Sequence, residues 1–270
     1  MWPNRYSDLP NPWTTRDVLS IVGVLALAAG SLLVGVVAVI SGELASLKYC
    51  LLFALMMVLV AALGVVARRR RSLTAAIRTV DRDGTPATEI RYSPAQFALL
   101  NASAASFGAF FLLAAVDTFT YLYPDDGAAT AVIPTAIGLF FASFSLSAAV
   151  GRLRRGALTL SAQGITQRGW SFESHLDWSG IAGIKLESYG YPTIVIFGYA
   201  NADWTRRPTA SIWRVDRLPP APMIEVDCRN IGVRPEALFS YLSSYVDNPS
   251  VRTELGTPAA LARALHIPHT

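Results

Sequence analysis

The sequence is short of charge and of the residues that usually carry chemistry. Asp, Glu, Lys and Arg make up only 16% of its 270 residues, and 52% are apolar; a soluble globular chain carries roughly a quarter charged residues. Lysine is nearly absent, with Lys48 and Lys185 the only two, so arginine carries almost all of the basic excess behind the formal charge of +4. An Ala/Arg/Val-rich, lysine-poor chain fits a high-GC bacterial genome. The two cysteines fall in different settings, Cys50 in an apolar run and Cys228 in a polar region, so no disulfide is expected. His175, His266 and His269 are scattered, and no Cys/His cluster has metal-ligand spacing, so neither a structural metal nor another cofactor is expected. Gly-rich phosphate loops, His-Glu-x-x-His and Gly-x-Ser-x-Gly are missing. No catalytic residue is assigned, and an enzyme is not the expected class.

What the chain does have is long apolar runs. Crossing a bilayer takes about 20 apolar residues, and four segments qualify: about 18–41, 47–67, 94–123 and 131–151. Thr14 with Asp17 three residues on resembles a capping box at the first start. A cleaved signal peptide fits that segment poorly: the run is too long, no small-residue cleavage site follows, and a second span arrives at once. The third span begins at Ser93-Pro94 with Gln96 completing a second box, and is expected to stop at Tyr121, Tyr123 and Pro124. Pro134 lies in the first turn of the fourth span, where it is tolerated. Residues 1–155 therefore read as a four-span membrane domain with a loop at 68–93.

Arginine sets the expected orientation. Arg68, Arg69, Arg70 and Arg71 follow the second span, Arg152, Arg154 and Arg155 follow the fourth, and the turn after the third has only Asp125 and Asp126. The positive-inside rule places the N-terminus, the 68–93 loop and everything beyond 151 in the cytoplasm, as in a multi-pass inner-membrane protein. The same seven arginines are the candidate contacts for anionic lipid, each worth about 1 kcal/mol near a charged surface. Small residues repeat every four positions at Ser31/Gly35, Ala104/Gly108 and Ser143/Ser147/Gly151, and such stripes let helices approach in lipid, within the chain or in an oligomer. Asn101 and Asp117 are the strongly polar residues of the third span. The spans contain no charged pair and no paired broken helices, which argues against a coupled transporter.

After residue 155 the hydrophobic period changes to two. Leu158 and Leu160 alternate with Thr159 and Ser161, Gln163-Gly164 turns into Ile165, and further strands are read at 172–178, 184–187, 194–197 and 224–228. A long polar hairpin holds Trp204, Arg206, Arg207 and Pro208, with Ile212-Trp213 on its return. An amphipathic helix starts at Arg234-Pro235-Glu236, presents Leu238, Phe239, Leu242, Tyr245 and Val246 on one face, and ends at Pro249. The segment 156–248 is thus a β-barrel or sandwich of about seven strands closed by a helix, and 249–270 is a short helical tail. Asp81 and Asp83 around Arg82, ahead of Gly84, read as a hairpin turn.

Two motifs and the closing helix carry a family resemblance. Leu158-Thr159-Leu160-Ser161-Ala162-Gln163-Gly164-Ile165-Thr166 resembles the opening hairpin of bacterial pleckstrin-homology-like domains, and Leu176-Asp177-Trp178-Ser179-Gly180-Ile181 is similar to their aliphatic-x-Trp-x-x-Ile signature, with Gly180 where an acid is usual. The resemblance, over about 156–247, implies a PH-like (GRAM-related) cytoplasmic domain that binds a protein partner near the membrane, with Trp178 in its core. The alternative is an accessory protein that responds to anionic lipid through the arginine-rich inner face. The turn Ser161–Gly164 carries no base, and 156–270 holds ten basic and ten acidic residues, so this segment alone is not expected to bind anionic lipid. Nor is it expected to bind nucleic acid: the Arg206-Arg207 pair reads as part of a polar hairpin with two packed tryptophans.

Overall fold

The computed structural model describes residues 13–82, 84–122, 127–188, 190–216 and 218–267, so Asp83, the Tyr123–Asp126 turn and the extreme termini lie outside the described residues. The described residues form two compact units: Trp13–Val66 with Ala95–Leu153, and Ala67–Pro94 with the chain from Arg154 onward.

The first unit is helical. Helix α1 (Thr15–Ile40) starts on the expected capping box, with Thr14 accepting from Asp17 N–H and the Asp17 side chain returning to Thr14 N–H. Helix α2 covers Leu44–Arg68. In the other unit, a single turn α3 (Leu73–Ala76) follows. Helix α4 spans Pro94–Asp117 and continues as a π-helical turn, Thr118–Leu122; α5 spans Gly127–Ala149. Four of these helices are long and apolar enough to cross a membrane, and large apolar side chains such as Leu33, Ile40 and Ile133 are exposed on them. Their contacts run through small residues. A Cβ on Gly35 would lie 3.0 Å from Cys50 Cβ, and Ser31 Oγ donates to Cys50 O at 3.0 Å, so the first expected stripe joins α1 to α2. A Cβ on Gly108 would meet Ala142 N at 3.2 Å and Gly138 O at 3.3 Å, which joins α4 to α5. On α5 the close approach uses Gly138 and Ala142; Gly151 lies beyond the helix at φ +72°. The spans do hold a charged pair, contrary to the sequence reading. Lys48 of α2 reaches Asp117 of α4, whose carboxylate also accepts from Tyr49 Oη at 2.6 Å.

The second unit is a two-sheet domain with nine antiparallel strands among the described residues. Strands β1 (Ile77–Arg82) and β2 (Thr85–Arg91) precede α4; β3 (Ala157–Ser161), β4 (Gly164–Arg168), β5 (Phe172–Asp177), β6 (Ile181–Ser188), β7 (Pro192–Gly198), β8 (Trp204–Pro208) and β9 (Met223–Asp227) follow α5. The order is β1-β2-β3-β4-β5-β8 in one sheet and β6-β7-β9 in the other. Seven strands fall in the segment where about seven were expected, but no closed barrel forms among them. Segment 68–93 is not a loop. It supplies α3 and a hairpin turning at Gly84 (φ +76°), whose N–H is held by Asp81 Oδ1 at 2.8 Å, and β2 pairs with β3 at Ile90↔Leu158. The sheet unit is therefore interrupted in sequence by α4 and α5. Residues 212–213 form no return strand; instead β8 pairs with β5, Trp204↔Leu176 to Pro208↔Phe172.

Alternation puts Ile90, Leu158, Leu160, Ile165 and Leu176 on the inner side of the large sheet, and Ile194, Ile196, Ile224 and Val226 on that of the small one; all are fully buried. A turn α6 (Cys228–Ile231) leads to α7 (Pro235–Asp247), which packs on β6 and β7. Its buried residues include Leu238, Tyr241, Leu242 and Tyr245; Tyr241 takes the inner place that Phe239 and Val246, half-buried, were expected to share. Burial pushes the Cys228 thiol up to about 12, so it stays protonated and inert. Trp178 is 7% exposed and donates from Nε1 to Ser161 O at 2.7 Å. The tail folds back: Gly256 (φ +78°) abuts Pro86 and donates to Thr88 Oγ1 at 2.9 Å, and α8 (Pro258–His266) is tied by Arg263 to Glu254 at 2.7 Å.

Candidate functional site

The outer face of the large sheet is polar, and the strand register assembles it rung by rung. Thr159 of β3 pairs with Thr166 of β4, Thr166 with His175 of β5, and His175 with Thr205 of β8. On the next rung, Arg168 pairs with Glu173 and Glu173 with Arg207. A flat sheet would keep β1 and β5, four strands apart, roughly 19 Å from each other at about 4.8 Å per strand. Yet Arg82 of β1 donates from Nη2 to Glu173 Oε1 of β5 at 2.6 Å. The sheet is therefore coiled hard enough to fold one diagonal over its polar face. The result is a trough of about 590 Å³, within the size range of small-molecule sites.

The trough is lined by the side chains of Arg82 and Arg207, by Glu173 and His175, and by a run of Thr and Ser hydroxyls; Arg206, paired with the buried Ser174, turns its side chain to the other face of β8. Glu173 is shared, taking Arg82 on one oxygen and Arg207 on the other at 3.3 Å. Arg206 lies 4.9 Å from the Trp204 ring centroid and donates to Pro219 O at 3.2 Å; Trp204 Nε1 is bound by Ser174 Oγ at 2.8 Å. Arg168 stands close by. Burial, then the neighbouring charge of Arg154, with Arg82 and Arg207 adding to it, lowers its pKa against the pull of Glu173. On the floor, His175 joins Thr166 Oγ1 through Nδ1 (2.8 Å) and Asp177 Oδ1 through Nε2 (2.9 Å). This hydroxyl–imidazole–carboxylate chain has the members of a nucleophile, base and orienting group. It lies on interior, ladder-paired strands, where backbone N–H groups are already engaged.

The seven arginines singled out from sequence divide by role. Arg71 is a clamp: its backbone N–H donates to Gly232 O at 2.6 Å, Nε to Ile231 O at 2.8 Å, and Nη2 to Arg91 O. Arg155 donates from Nε to Tyr92 O at 2.6 Å. Burial lowers the pKa of both guanidiniums, and they remain charged. Arg70 reaches Val233 O at 3.4 Å and, with Arg71, Ser72 and Arg234, lines a second cavity of about 230 Å³ at the start of α7. Arg69, Arg152 and Arg154 are exposed and Arg68 half-exposed.

Sequence reasoning counted charge over 156–270 and found balance. It did not see Arg82 arrive from the 68–93 segment, nor Arg206 and Arg207 take places on an edge strand. The available signal was the two-residue alternation of Thr85, Ala87 and Glu89 in that segment. Among the described residues no group of His, Cys, Asp and Glu has the arrangement of a metal site. Compared with protein-family models, with curated proteins and with solved structures, the chain matches none.

Proposed function

We propose that the chain is a membrane-anchored, non-enzymatic interaction module: four spans in a bacterial inner membrane carrying a PH-like domain on the cytoplasmic side, where it binds a protein segment. The observation that carries this reading is the open edge of β6. At eight residues it is the longest strand among the described residues, among which it pairs with β7 alone, and α7 packs beside it. An unpaired edge next to a helix offers backbone hydrogen bonds and an adjoining groove to an incoming strand. The seven strands from Ala157 to Asp227 followed by α7 support the PH-like assignment. Arginines after α2 and α5, against acids after α4, support the cytoplasmic side. A photo-crosslinking residue in place of Lys185, exposed on β6, should give one discrete protein adduct in intact membranes, and one in place of the exposed Ser240 on α7 should give less. No adduct from any β6 position would overturn the reading.

A second reading has its own observation. The 230 Å³ cavity between Arg70, Arg71, Ser72 and Arg234 has room for a lipid phosphate, so the arginine-rich inner face would respond to anionic lipid. Thermal unfolding in nanodiscs with and without cardiolipin tests it: stabilisation that disappears in Arg70→Gln and weakens with salt is the expected outcome.

A further inference from the structure

We infer that the trough on the large sheet binds a small molecule bearing both phosphate and hydroxyl groups, a phosphorylated sugar or polyol. This goes beyond the protein-partner reading, which concerns the β6 edge.

Charge comes first. Two guanidiniums, those of Arg82 and Arg207 from the opposite edge strands β1 and β8, converge on a concavity whose single lining carboxylate, Glu173, is shared between them. Like charges held together in a partly desolvated recess repel, and an anion relieves that repulsion. Arginine presents a planar fork that matches phosphate with two parallel hydrogen bonds. Arg82 comes from one side of the coiled sheet and Arg207 from the other, so a phosphate between them is gripped by both.

The rest of the lining describes the rest of the ligand. Around the arginines stand the hydroxyls of Thr85, Thr159, Ser161, Thr166 and Thr205, with the Gln163 amide. Hydroxyls both donate and accept, which suits a body made of hydroxyl groups. No Phe, Tyr or Trp is among the described residues that line the recess, and the His175 imidazole is held between Thr166 and Asp177; an acyl chain would find a polar wall. Recognition must come from side chains, since the ladder uses the backbone of β3, β4 and β5. The Thr166–His175–Asp177 chain then acts as a positioning element that fixes the Thr166 hydroxyl toward the guest.

Such a molecule has two sources, the soluble phosphate ester or the phosphorylated polyol headgroup of a lipid. The full chain in phosphatidylcholine nanodiscs, titrated with glucose 6-phosphate by calorimetry at about 0.15 M salt, is the soluble arm. Flotation of the chain in liposomes with and without phosphatidylinositol 4-phosphate, read as protection of the trough from trypsin, is the lipid arm. Saturable binding in either arm is expected, about tenfold or more weaker in Arg82→Gln and in Arg207→Gln, with unphosphorylated glucose inert. Arg206→Gln, whose guanidinium lies with Trp204 and Pro219 O on the other face of β8, should bind as the wild type does; unchanged thermal unfolding of each variant confirms the fold. Binding in neither arm, or binding that both Arg82→Gln and Arg207→Gln retain, overturns the inference. Neither result touches the β6 crosslink.

Discussion

The two units are built inside out relative to each other. In the helical unit most large apolar side chains face outward, with Leu33 68% and Ile40 80% exposed, while most buried positions are small, such as Ala28, Gly35, Ala61, Ala104 and Gly108, with Met56 and Phe144 among the large exceptions. In the sheet unit the largest buried side chains are Tyr241 and Tyr245, followed by leucines and isoleucines, and arginine heads face out. One rule covers both. Burying a leucine in water's presence is worth about 1.5–3 kcal/mol, whereas lipid is as apolar as leucine and gives no such drive, so helices there meet where small residues let backbones approach. The contrast is the one expected between a unit whose helices are apolar enough to span a membrane and one with an apolar core and a polar surface.

The largest effect that would break this comparison concerns where the water-soluble unit begins. Residues 156–255 lack β1 and β2, expose the β3 edge and lose the Thr88 contact of Gly256, so they should not fold: dispersed amide resonances should be missing. Tyr92 N–H bonds Gly156 O at 3.0 Å and Arg155 bonds Tyr92 O, so a few Gly/Ser residues can bridge the gap. A chain of 69–93, such a linker, and 154–267 should fold as a soluble domain. If 156–255 gives a native-like spectrum by itself, the interrupted domain is wrong.

Within that domain, Trp178→Ala should cost about 3–5 kcal/mol, the range for truncating a large buried aromatic. That is a large part of a total of about 5–15 kcal/mol, and urea unfolding measures it. In the helical unit the sign of side-chain size inverts. Gly108→Val places a branched side chain 3.2 Å from the Ala142 backbone and should lower stability in detergent by about 1–3 kcal/mol, whereas Leu33→Ala on the outer surface should change it little. A stable Gly108→Val chain would show that α4 and α5 do not meet as described.

The smallest effect is a pH dependence in the tail. Arg263 hydrogen-bonds Glu254 and holds its carboxyl below the ordinary carboxylate range. A depressed folded pKa means the pair stabilises fully above the unfolded value of about 4.3 and loses that contribution as pH falls through the folded value. Glu254→Gln should therefore lower stability by roughly 0.2–1 kcal/mol at neutral pH. The difference from wild type should fade below about pH 4.

The sequence exposed the parts of the fold that are locally periodic. Long apolar runs marked all four spans, Thr14 and Asp17 marked the start of α1, and Pro235 marked the start of α7. Pairing across long separations left no local trace. Strands β1 and β2 were hidden by arginines that served equally well as topology signals, and their partner β3 lies beyond two whole helices. Lys48 and Asp117 looked isolated for the same reason, since each sits on a different helix. The trough was illegible because its two arginines, Arg82 and Arg207, come from segments on either side of α4 and α5, and a charge count over either one cannot register that they converge.

The pairing of β2 with β3 has a temporal consequence. A ribosome finishes Arg91 and must add roughly 65 more residues, including α4 and α5, before Ala157 emerges to meet it. At about 5–20 residues per second the β1–β2 hairpin waits roughly 3–13 s with one edge unsatisfied. For that interval the nascent chain is a half-built sheet, and its completion depends on two helices first leaving the aqueous phase. Any delay in membrane insertion is thereby also a delay in folding, and the exposed β2 edge is where a chaperone or an aggregate would take hold.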